Sequence, residues 1–132
     1  MGAKTWRLLG EYNSVTTAYT ALAGPAASSP YTPDFSGKLL GLRAIVNRSA
    51  ATSLINHVQF RLTSTTFNPN TMHVGAQGTG LQTAPSQQQL SQDWQCEQPI
   101  QSGVPVTIEA KNNTTDTPVT VSVMLYGYFE VS

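Results

Sequence analysis

The chain has 132 residues and a formal net charge of zero, with seven Lys plus Arg against seven Asp plus Glu; only 11% of residues are charged, against about 25% in an average soluble domain. Neutrality removes the long-range attraction that nucleic acid or an anionic membrane would need, so neither is an expected partner. Cys96 is the one cysteine, which excludes an intrachain disulfide and a Cys-based zinc site.

No stretch approaches the roughly 20 apolar residues of a membrane span. Met1 to Gly10 lacks the apolar run of a secretory signal, so a soluble protein made in the cytoplasm is expected.

In chain order, Thr5 to Tyr12 and Thr16 to Leu22 read as weak strands. Ala23 to Gly37, with Pro25, Pro30 and Pro33, reads as a long loop. Leu40, Leu42, Ala44 and Val46 then alternate with Gly41, Arg43 and Asn47, the period-two mark of a half-buried strand. Arg48 to Ser53 joins it to a second such strand, in which Val58, Phe60 and Leu62 alternate with His57, Gln59, Arg61 and Thr63. Thr71 to Gly75 is a further weak strand. Ala76 to Leu90 is a second long loop, with at most a short helical turn at Ser86 to Leu90, and Gln92 to Gln98 is another weak strand.

The last two strands are the clearest. Val104, Val106, Ile108 and Ala110 share one parity, and the polar stretch Asn112 to Pro118 separates them from Val119 to Val131, where Val121, Val123, Leu125 and Phe129 share another; the pair reads as a hairpin. Gly127 interrupts the inward parity and suggests a bulge or a close backbone approach. About eight strands and no capped helical window predict one all-β domain over residues 1–132, a jelly-roll-like antiparallel β-sandwich with an extended N-terminal segment at 1–4.

Catalytic chemistry finds no foothold. His57 and His73 are sixteen residues apart without a metal-ligand spacing, and the acidic residues stand singly. The run Gly75-Ala76-Gln77-Gly78-Thr79-Gly80 lacks the following Lys of a phosphate cradle, and the sequence around Cys96 carries no nucleophile signature. No catalytic residue, metal or cofactor is expected, and the chain reads as a binding or assembling protein, not an enzyme.

The strand pattern, the Thr/Asn/Gln-rich neutral surface and the ending Thr117-Pro-Val-Thr-Val-Ser-Val-Met-Leu-Tyr-Gly-Tyr-Phe-Glu-Val131 resemble the small jelly-roll proteins of viral capsids, most of all the cement or decoration proteins of tailed bacteriophages. That resemblance implies a virion protein on the outer surface of a shell, often a homotrimer, bridging neighbouring copies of a major capsid protein. Alternatives are a single jelly-roll major capsid protein, or a carbohydrate- or receptor-binding β-sandwich module. Large aromatics commonly anchor interfaces, so Trp6, Tyr31, Phe35 and Trp94 are the expected partner contacts.

Overall fold

In the computed structural model, described for residues 2–23, 30–50, 56–75, 88–113 and 120–132 and for the backbone of 81–83, the period-two segments form nine strands. These are β1 (Lys4–Tyr12), β2 (Thr20–Ala21), β3 (Gly37–Arg48), β4 (Asn56–Thr63), β5 (Thr71–Val74), β6 (Leu81–Thr83), β7 (Gln89–Ile100), β8 (Thr107–Asn112) and β9 (Val121–Val131). No helix occurs among the described residues.

The strands pair antiparallel in two sheets. One has the order β1-β9-β3-β7; the other has the order β2-β8-β4-β5, with β6 also on β4. Each sheet is apolar on one face and buries it against the other. Leu39, Leu42, Ala44 and Val46 of β3 and Val121, Val123, Leu125 and Phe129 of β9 line one side of the core. Val58, Phe60 and Leu62 of β4 and Ile108 and Ala110 of β8 line the other. The result is an all-β, jelly-roll-like antiparallel sandwich.

The chain shuttles between the sheets, which corrects the expected hairpin. β8 pairs with β2 and β4, whereas β9 pairs with β1 and β3. Alternation sets which face of a strand is buried but is silent on its neighbour, and both strands need a central place in their own sheet.

Other expectations shift in detail. Only Thr20 and Ala21 of the weak segment Thr16 to Leu22 form a strand. The second long loop contains β6, and Gln89 and Leu90 open β7 in place of a helical turn, whose residues 86 and 87 lie outside the described residues. Much of the first loop, 24–29, the connections 51–55 and 114–119, including Val119, and the Gly-rich stretch 76–80 also lie outside them.

Gly127 is not at a bulge, since β9 keeps register through it against both neighbours; the irregularities fall between Leu8 and Gly10 and between Leu39 and Gly41. A Cβ at Gly127 would lie 2.8 and 2.9 Å from ring atoms of Phe129 and 3.0 Å from Leu39 Cδ1. The glycine exists there because the Phe129 ring covers it.

Candidate interaction surface

The outward faces of the two sheets differ in chemistry. On the β4 sheet, Arg61 stands between Glu109 and His73 in register, and Thr63 between Thr107 and Thr71. Arg61 grips Glu109 through two hydrogen bonds of 2.9 and 3.0 Å, which raises the guanidinium's pKa. The Arg61 guanidinium also lies 4.0 Å from the Tyr19 ring centroid, with Lys111 Nζ at 4.9 Å. This face is polar, with Arg61 paired to Glu109 and Lys111 set over the Tyr19 ring.

The outward face of the β1-β9-β3-β7 sheet is built in rows fixed by the register. Trp6, Tyr128, Gly41 and Gln95 form one row; Leu8, Tyr126, Arg43 and Asp93 form the next; Glu11, Met124, Ile45 and Ser91 form the third. Lys4, Glu130 and Lys38 form a charged row at one end that ends on Pro99, and the Glu97 carboxylate, two residues before Pro99 on β7, accepts a 3.1 Å bond from Lys38. Trp6, Leu8, Ile45, Met124, Tyr126 and Tyr128 therefore share one outward surface, every one of them at least partly exposed.

Trp6, 39% exposed, is the larger of two big hydrophobic side chains left open among the described residues. Its ring packs 4.8 Å from that of Tyr128, and the Arg43 guanidinium lies 4.5 Å over it. Arg43 in turn donates to both carboxylate oxygens of Asp93, at 2.8 and 2.9 Å. These bonds hold the Asp93 carboxyl below its usual pKa and Arg43 above its own. The indole is thus held in place by Tyr128 and Arg43 of its own chain.

Gly41 leaves a notch in this face. Trp6, Tyr128, Gln95 and Asp93 stand around a groove of about 410 Å³ that also reaches Trp94 and Cys96.

The sequence-expected contact residues are distributed unevenly. Trp6 and Trp94 meet at that groove. Trp94 opposes the inward Leu42, however, and packs edge-on against Phe60 at 6.4 Å, so most of its ring serves the sandwich edge. Tyr31 is 8% exposed and stacks on Phe129 at 6.1 Å; burial raises its hydroxyl's pKa. Phe35 meets Phe129 edge-on at 5.1 Å beneath the Arg7 guanidinium at 4.8 Å. Tyr31 and Phe35 close one end of the core, away from the Trp6 groove.

Leu8, Ile45, Met124, Tyr126 and Tyr128, which the sequence reading does not single out, share this outward face with Trp6. Their signal was present: two tyrosines and a methionine occupy the polar parity of β9, where a solvated face would carry Thr, Ser or Lys.

Burial pushes the Cys96 thiol up to about 11, where it is a poor nucleophile; its Sγ lies 3.8 Å from the Leu39 carbonyl oxygen. Among the described residues, no group of three His, Cys, Asp or Glu is placed to hold a metal ion.

The architecture defines the class of protein as a jelly-roll-like β-sandwich. No protein-family model and no curated protein matches the chain. Solved structures match it in fold. The globular domain of zebrafish complement 1qA protein aligns with a TM-score of 0.51 and 12% identity over 100% of this chain and 98% of that one. FlhE aligns at 0.47 and 12% over 97% and 98%, and a chain of Triatoma virus at 0.40 and 11% over 96% and 64%. Identities this low speak to the fold alone.

Proposed function

We propose that this chain is a structural virion protein, a cement or decoration protein of the tailed-bacteriophage type. It works by binding and assembly, as a homo-oligomer that bridges neighbouring major capsid proteins on the outside of a shell. One observation carries the reading: the outward face of the β1-β9-β3-β7 sheet gathers six large apolar or aromatic side chains, while the opposite outer face is polar, with Arg61 paired to Glu109. Patches of this kind on a small soluble domain mark association.

A saccharide platform is the less favoured use of the same aromatics. Arg43 already lies over the Trp6 ring and the Asp93 carboxylate is held by Arg43, so both would have to be released to stack and bond a sugar.

The test uses an antibody raised against the purified chain and virus particles banded on a density gradient from cultures that produce it. Co-banding with the shell protein at a fixed ratio is the expected result. Absence from the particles would overturn the reading, and shells formed by the purified chain alone would make it the major capsid protein.

A further inference from the structure

The outer aromatic face needs a cover, and its pattern says which. We infer that the outward face of the β1-β9-β3-β7 sheet is the contact between copies of this chain, so that the aromatic rows are buried within a homo-oligomer before any shell is met. This deepens the proposed function, which requires only that some partner cover the face.

Two observations carry it. The first is charge. Reading across β1, β9, β3 and β7, the end row runs Lys4, Glu130, Lys38, Pro99, with the charges alternating in sign over its first three strands. Lay a second copy on this face with its strand order reversed, as a two-fold axis along the strands does, and Glu130 meets Lys38 of the copy while Lys38 meets its Glu130. The same operation sets Met124 against Ile45, Tyr126 against Arg43, and Tyr128 against the Gly41 notch, knob against hole. The rows match where β9 lies over β3, while at the rim Leu8 meets Asp93 and Trp6 meets Gln95, and the chain's zero net charge adds no long-range repulsion between copies.

The second is area. Four strands about 4.8 Å apart and nine residues long at about 3.3 Å each give a face of roughly 19 by 30 Å. That is on the order of 600 Å² in plan, more with side-chain relief, against roughly 800 Å² per partner in a standard interface. The two twisted sheets would pack at about −30°, as sandwich sheets do.

The test is light scattering on the purified full chain across a concentration series, beside Ile45→Glu, which puts a charge at the centre of the face. Wild type is expected at two or more times the 14.2 kDa chain mass. Ile45→Glu should weaken association on the order of 100-fold and run as one chain, because the carboxylate would be buried without a counter-ion. Circular dichroism checks that the variant keeps its fold; should it not, the milder Met124→Ser carries the same comparison. A wild-type chain that stays monomeric at high concentration, or an oligomer indifferent to folded variants at both positions, overturns the inference. Shell occupancy is measured separately, so a monomeric chain that still bands with particles would sink this inference and the homo-oligomer of the proposed function, and leave its shell-binding reading standing.

Discussion

Replacing Gly127 with Ala adds one methyl group at a close-packed spot in the core. The new Cβ would sit 2.8 and 2.9 Å from the Phe129 ring and 3.0 Å from Leu39 Cδ1. Neither neighbour has room to retreat: Phe129 and Leu39 are both 1% exposed, and the ring is held by Phe35 at 5.1 Å and Tyr31 at 6.1 Å. Overpacking of this kind costs about 1–3 kcal/mol. The loss of glycine's freedom in the unfolded chain offsets about 0.4–1 kcal/mol of that. A net loss of roughly 0–2.6 kcal/mol remains, about 1.3 kcal/mol at mid-range, which at about 4 °C per kcal/mol lowers Tm by about 5 °C. Gly41→Ala is the control, since its Cβ would meet only Trp94 O at 3.2 Å and Tyr128 Cβ at 3.8 Å; its stability should stay within about 1 kcal/mol of wild type. Thermal melts followed by circular dichroism read both. A Gly127→Ala melt at or above the wild-type temperature would refute the claim that Phe129 fills the space over Gly127.

Other expectations follow from the same geometry. Cys96, pushed up to about 11, should react with iodoacetamide at pH 8 on the order of 100-fold more slowly than a free thiol with pKa of about 8.5, and speed up as pH rises; labelling at the free rate would contradict its burial. The Asp93 carboxyl, depressed by Arg43, should titrate by NMR below the free value of about 3.9. Its bond with Arg43 therefore helps stability above that free value and is lost as pH falls through the lower, folded one. Both partners are about half exposed, so Asp93→Asn should cost at most about 1 kcal/mol in a urea melt, and a larger loss would mean the pair does more than orient Arg43. Phe60→Ala, which empties a fully buried ring site and removes the edge-on support of Trp94, should cost about 3–5 kcal/mol.

Much of the sandwich was legible because burial is one-sided: Leu42, Ala44 and Val46, or Val121, Val123 and Leu125, fall on one parity and all point inward. What parity withholds is partnership. β8 and β9 look like a hairpin along the chain, yet each sits between two other strands of its own sheet. The surface was harder to read. Trp6 stood out as a large aromatic near a strand start, but Tyr31 and Phe35, equally prominent in the sequence, fold onto Phe129. Ile45 and Met124 look like ordinary strand residues until the register places them side by side on the outward face.

Hydroxyl-radical footprinting of the assembled protein, compared with the Ile45→Glu variant, tests the central claim most directly. If the chain works by burying the β1-β9-β3-β7 face, Trp6, Met124, Tyr126 and Tyr128 should be protected in the assembly and open in the variant, while Tyr19 and His73 on the other sheet react equally in both. Equal reactivity of Trp6, Met124, Tyr126 and Tyr128 in the two samples, or protection confined to Tyr19 and His73, would contradict it.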